Sequence, residues 1–151
     1  MGGVLKKKIL RGYGIKNSLL NYFRRPYTLV FLWNTKRIYR KVAKEVIPEI
    51  QDYLNSGFEV VGIIGVKGSP SCGVSAALDL KKSAKFIANL DIEKLERNDF
   101  NDHCYKNCLV NCEGLFINVL KQRLTKKRLD IKFIEYDLIA EVKGKEVKFE
   151  L

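Results

Sequence analysis

The sequence predicts an α/β fold: a Rossmann-like three-layer sandwich with a mostly parallel sheet and a C-terminal β-hairpin. Three observations predict it. Residues 59–66 form an apolar run in which Val60, Val61, Ile63, Ile64 and Val66 are β-branched, the pattern of a strand covered on both faces. Two segments with helical spacing, 36–55 and 113–128, lie on either side of it in the chain. Strands and helices alternate, which favours a layered α/β architecture. At 151 residues the chain is long enough for one domain with its own core.

Residues 1–25 carry Lys6, Lys7, Lys8, Arg24 and Arg25, and Gly12 and Gly14 interrupt any long helix. Residues 27–33, YTLVFLW, are rich in apolar, β-branched and aromatic side chains, and a first strand is expected there. Over 36–55, Ile38, Val42, Val46, Ile50 and Leu54 recur every four residues, and Ala43 and Ile47 widen the stripe. That spacing predicts an amphipathic helix lying on the central strand. Asn34 and Thr35 offer N-caps, Pro48 kinks the helix or starts a second one, and Gly57 stands where a C-cap belongs.

After the central strand, residues 67–73 form a loop that presents Ser69, Ser71 and Cys72. Pro70 stiffens it, and Gly73 permits a left-handed turn after the thiol. In open α/β sheets ligands sit at the carboxyl ends of strands, and this loop leaves such an end.

A helix is expected over 79–89, then a charged loop over 91–102 with a short helix near 93–97. Residues 113–128 predict a helix with Leu115, Phe116, Val119, Leu120 and Leu124 inward. Lys121, Arg123, Lys126, Lys127 and Arg128 crowd its end, where cations suit the helix dipole. A strand over 130–136 follows. Residues 138–151 read as a hairpin turning at Lys143, Gly144 and Lys145.

Between these elements, Cys104, Cys108 and Cys112 follow one another at steps of four beside His103, the one histidine. On an unbroken helix the outer two would stand about 12 Å apart, at ~1.5 Å per residue, too far for a single metal. The spacing also differs from paired zinc motifs and from common ferredoxin runs. One reading is a set of small, partly buried residues leading into the next helix; the other is a set of metal ligands. A Cys72–His103 dyad would require the two within hydrogen-bond reach.

The net charge of +11 suits a polyanion such as RNA or an anionic small molecule, but the basic residues are spread along the whole chain, which favours the reading of a lysine-rich surface. Four cysteines without a secretory signal imply a reducing, cytoplasmic setting, and no apolar run is long enough to span a bilayer, so no membrane partner is expected. P-loop, dinucleotide-binding and nucleophile-elbow motifs are absent.

Gly-Ser-Pro-Ser-Cys-Gly at 68–73 follows an apolar strand. It is succeeded by Ala77-Leu78-Asp79-Leu80-Lys81-Lys82-Ser83, then Glu113-Gly114-Leu115-Phe116-Ile117, then Phe133-Ile134-Glu135-Tyr136-Asp137. This ordered set resembles the thiouracil desulfidase (TudS)-like family. The expected organisation is a single α/β domain over 1–151, with 1–34 a divergent segment, 35–138 family-like and 139–151 a hairpin extension.

The resemblance implies a [4Fe–4S] cluster held by three cysteines, with the fourth iron open to take sulfur from a thiolated base. Cys72 would be a cluster ligand with Gly73 beside it. Ser69 or Ser71 would hydrogen-bond the substrate or a bound sulfur. The other two ligands of the family are missing: no cysteine precedes Cys72, and there is no Cys-Pro-Glu. Cys104, Cys108 and Cys112 are the candidates to replace them. Arg24-Arg25-Pro26 resembles the segment that follows Cys-Pro-Glu in relatives, so a lost first strand or a shifted gene start is expected. The implied activity is removal of sulfur from a thiolated nucleobase or similar thiocarbonyl compound, in a form that has lost activity if the cluster is lost. The alternatives are a non-catalytic RNA- or nucleotide-binding α/β module, and a chain in which the loop is only structural.

Overall fold

A computed structural model describes residues 19–87 and 97–147. Its first helices are α1 (Leu19–Tyr22) and α2 (Arg24–Asn55). Pro26 has no N–H for the Tyr22 carbonyl four residues back, which accounts for the break at Phe23. Helical bonding resumes at once, with the Tyr27 N–H donating to the Phe23 carbonyl at 3.0 Å.

The 27–33 run is therefore helical, and the expected first strand is overturned. A short apolar run suits either structure, and here it is continuous with the four-residue periodicity of 36–55. Pro48 lies inside the helix with its ring exposed. The helix ends as Gly57 predicts. Gly57 has φ +82, its N–H donates to the Leu54 carbonyl (3.1 Å), and the Phe58 N–H donates to that of Tyr53 (3.0 Å). The Tyr53 and Phe58 rings meet edge-on at 6.0 Å, completing a Schellman cap with its apolar contact.

Strand β1 (Ile63–Val66) follows, then β2 (Ala77–Leu78), α3 (Leu80–Ile87), α4 (Arg97–Cys108) and β3 (Leu109–Val110). The chain closes with α5 (Leu115–Lys126), β4 (Phe133–Tyr136) and α6 (Leu138–Val142). Strands β1 and β4 run parallel, in register from Ile63↔Phe133 to Val66↔Tyr136, and β2 pairs with β3.

The described residues thus hold two small two-stranded sheets among helices, and the three-layer Rossmann-like sandwich is overturned. Parallel pairing survives in one strand pair only. The physical reason lies in the central strand itself: Val61 is 52% exposed and Ile64 56%. Its β-branched residues reflect strand propensity more than burial, since Ile64 stays exposed although its register partner Ile134 is buried.

The expected hairpin is also overturned over its described part, where 138–142 is α6. Asp137 caps that helix, its carboxylate accepting from the Ala140 N–H at 3.0 Å. Gly144, with φ +73, closes it, and the Lys145 N–H donates back to the Ala140 carbonyl at 2.9 Å. A glycine at positive φ serves a hairpin turn and a helix cap alike. Residues 148–151, with the rest of that expectation, lie outside the described residues. So do 88–96, which include the end of the helix expected over 79–89 and most of the one near 93–97. Arg97 opens α4, so the expected loop is helical from there.

Two compact units are distinguished. In the one formed by residues 34–77 and the described residues from 110 onward, Ala43 and Ile47 of α2 pack with Val119, Leu120 and Leu124 of α5. Ile63 of β1 and Phe133 of β4 lie against this cluster, so both helices cover one face of the parallel pair. Helix α5 matches the segment expected over 113–128. It ends on Arg128 at φ 55, with the Leu129 N–H donating to the Leu124 carbonyl at 3.0 Å. In the other unit α3 packs on α4, and the Phe86 and His103 rings lie 6.4 Å apart. Asp79 starts α3: its carboxylate accepts from the Lys82 N–H at 3.0 Å, and its own N–H donates to the Cys108 carbonyl at 2.9 Å.

Candidate thiol site

The loop after β1 brings Ser69, Ser71, Cys72 and Gly73 together. The Cys72 thiol donates to Ser69 Oγ at 3.0 Å, and the Cys72 N–H donates to the same oxygen at 3.2 Å. Ser69 Oγ and Ser71 Oγ share a hydrogen bond at 3.2 Å. The Gly73 N–H donates to the Ser69 carbonyl at 3.0 Å, closing the turn on which Cys72 sits. Cys72 is half-buried and free.

Partial burial pushes the Cys72 thiol up. The hydrogen bonds to Ser69, the Val66 backbone, Ser71 and its own backbone together outweigh it, and the thiol lies below its ordinary value. The Ser69 hydroxyl is free to rotate and donate to the sulfur once the proton has left. That stabilises the thiolate, the nucleophilic form.

The loop is held from two sides. Helix α5 has no side-chain N-cap, and the loop carbonyls take that place. The Leu115 N–H donates to the Pro70 carbonyl (3.0 Å), and Phe116 and Ile117 donate to that of Ser71 (2.9 and 3.3 Å). The Gly114 N–H donates to the Gly73 carbonyl at 2.8 Å. The orphan donors of a helix start are thereby satisfied. The approach is so close that a Cβ on Gly114 would overlap the Ser71 carbonyl and stand 2.7 Å from the Cys72 nitrogen. A Cβ on Gly65 would overlap the Cys72 carbonyl and stand 2.8 Å from Val74.

On the far side, Glu135 of β4 accepts from the Ser75 N–H (2.7 Å), the Ser75 hydroxyl (2.8 Å) and the Ala76 N–H (3.3 Å). Lys67, at the loop's start, pairs with Asp137 at 3.1 Å. Burial raises the Glu135 carboxyl, and the Ser75 and Ala76 bonds with the Lys67 charge carry it below the usual carboxylate range.

Above the unfolded-state value the Glu135 carboxylate is charged in both states and its bonds contribute fully. As pH falls through the lowered folded-state value that contribution is lost. Glu135→Gln is therefore expected to destabilise the protein at pH 7 and to make progressively less difference below the ordinary glutamate range. Urea midpoints of both proteins between pH 7 and 3 check this, and a constant gap would contradict it.

Cys104 and Cys108 lie one turn apart on α4, 6% and 1% exposed, and Cys112 is exposed after β3. Burial pushes the Cys104 thiol up, with Cys108 adding to it, the opposite of what a thiolate ligand requires. All four cysteines fall among the described residues, and no three His, Cys, Asp or Glu side chains there gather into a metal-holding group. Among the described residues no three-cysteine site for a [4Fe–4S] cluster is formed. His103 lies beside Phe86, and the sulfur of Cys72 is bonded to Ser69.

Gly114 and Glu135 are the site residues that sequence reasoning missed. The available signal was a glycine directly ahead of an amphipathic helix. In the basic cluster expected at the end of α5, Lys121 is engaged with Glu113 at 2.6 Å and lies 4.8 Å from the Phe133 ring centre.

What this fold and site define is a small mixed helix–strand protein with a thiol cradled in a hydrogen-bonded loop. No protein-family model, curated protein or solved structure matches the chain.

Proposed function

We propose that this is a desulfidase-related thiol enzyme that removes sulfur from a thiolated nucleobase or a similar thiocarbonyl compound at Cys72. The observation that carries the reading is the Cys72–Ser69–Ser71 hydrogen-bond network on a loop held from two sides. The resemblance of 68–73 to the desulfidase loop supplies the substrate class.

The route that needs no redox partner is hydrolytic. The Cys72 thiolate adds to the thiocarbonyl carbon. The former thiocarbonyl sulfur takes a proton and leaves as hydrosulfide. Water then attacks the same carbon and displaces Cys72, so one water is consumed, one hydrogen sulfide is released and no electrons are exchanged. Ser69 and Ser71 donate hydrogen bonds to sulfur as negative charge moves onto it. The setting proposed is a reducing cytoplasm, in keeping with four free thiols. No helix among the described residues is long and apolar enough to cross a membrane.

The test is hydrosulfide release from 2-thiouracil and 4-thiouracil, followed with loss of the thiocarbonyl absorption band. Cys72→Ser is expected to lower the rate at least ~100-fold with little change in melting temperature. Ser69→Ala is expected to move the pH–rate profile to higher pH, because the thiol loses its largest stabilising bond. Equal rates in wild type and Cys72→Ser would overturn the reading. The alternative is an RNA- or nucleotide-binding module that uses this loop. Thiouracil binding without turnover, unchanged in Cys72→Ser, would favour that alternative. Against it, the first N–H groups of α5 are already bonded to Pro70 and Ser71 and are not offered to a phosphate.

A further inference from the structure

Lysine and arginine are spread along the whole chain, but the acidic residues are not. None precedes Glu45, while twelve lysines and arginines do. The remaining 107 residues hold 16 basic and 17 acidic side chains, from 28 − 12 and 17 − 0, and are close to neutral. The excess charge of the protein therefore belongs to its first 44 residues.

Helices α1 and α2 order part of that segment. At steps of three and four, Tyr22, Phe23, Pro26, Leu29, Val30 and Trp33 share one helical face. All are exposed: Tyr22 84%, Val30 63% and Trp33 62%. The same ladder continues from Trp33 into Arg37, Arg40, Lys41 and Lys44, also exposed. The face one-third of a turn away is the one that packs, through Tyr39, Ala43 and Ile50, on the core. Helices α1 and α2 therefore present an apolar, aromatic outer face from Tyr22 to Trp33, about 17 Å at ~1.5 Å per residue, that runs along α2 into a purely basic one.

We propose that this outer face of α1 and α2 is a docking surface for an anionic lipid bilayer, on which the helix lies in the plane of the interface. Leu29, Val30 and Trp33 enter the headgroup–acyl boundary, and Arg37, Arg40, Lys41 and Lys44 meet lipid phosphates. Charge complementarity selects this occupant. A second copy of the chain would bring like charges together without a compensating carboxylate. RNA would satisfy the cations and leave the aliphatic side chains in water. An interfacial helix uses both halves at once, with Trp and Tyr at headgroup level. It differs from a membrane span, which this helix is too polar to form.

Trp33 is the only tryptophan in the chain, so its fluorescence reports the contact directly. The full-length protein is mixed with phosphatidylcholine vesicles with and without 30% (about one lipid in three) phosphatidylserine, and binding is read by co-flotation and Trp33 emission. Binding to the anionic vesicles with a blue shift is expected, weakened by salt and by neutral vesicles. Lys41→Gln with Lys44→Gln is expected to reduce affinity roughly 30-fold, about fivefold per charge. Leu29→Ser and Val30→Ser are expected to cost about tenfold each. All four side chains are exposed, and circular dichroism confirms that each variant is folded. Absence of vesicle binding overturns the proposal. So does a blue shift that depends on protein concentration without vesicles, which would mean self-association. Tight RNA binding that Leu29→Ser and Val30→Ser leave unchanged, with no flotation, overturns it in favour of nucleic acid.

Discussion

Gly114→Ala is expected to lower the melting temperature by about 5–10 °C, for an overpacking cost of roughly 2–3 kcal/mol. The new Cβ would overlap the Ser71 carbonyl and approach the Cys72 nitrogen. Those are backbone atoms, and no rotamer change relieves them. Either α5 retreats from the loop, giving up the bonds from Gly114, Leu115 and Phe116, or the loop lifts from β1. Both disturb the turn in which the Cys72 N–H and thiol meet Ser69. A second readout follows from that coupling. The rate of Cys72 alkylation by iodoacetamide, measured across pH, is expected to shift toward the profile of an ordinary thiol. Unchanged stability and an unchanged alkylation profile would show that the loop and helix start are independent.

Leu120→Ala is expected to cost about 2–5 kcal/mol, the range for emptying a fully packed aliphatic site. Leu120 is 2% exposed, in the cluster with Ala43, Ile47, Val119 and Leu124. The flanking contacts come from α2 and from Ile63 and Phe133 of the strand pair, so the void lies where three elements converge and cannot close by moving one of them. Urea denaturation monitored by circular dichroism gives the number. Val42→Ala is the control: Val42 lies on the same helix as Ala43 and is 38% exposed, and a cost well under 1.5 kcal/mol is expected there. Similar losses in both variants would contradict this packing.

Local patterns were legible where the periodicity was long. Four-residue spacing located the helix over 36–55 and the helix over 113–128, and Gly57 located a cap. The thiol loop was legible because glycine, serine and proline mark a turn whatever surrounds it. The 27–33 run was not, because seven residues of mixed aromatic and β-branched character fit either regular structure. Its outcome depended on the helix downstream. The expected three-layer sandwich rests on counting that run and 138–151 as strands, whereas 27–33 is helical and 138–142 forms α6.

The sequence by itself therefore determined the helices with sustained apolar stripes, the helix caps and the thiol-bearing turn, since each depends on residues within a few positions of one another. Tertiary structure alone decided how many strands pair, that Ile64 faces solvent, and that Cys104 and Cys108 are buried. It also decided what holds Cys72. Gly114 and Glu135 are 42 and 63 residues away from it in sequence, and only the folded backbone brings a helix start and a strand carboxylate onto one loop.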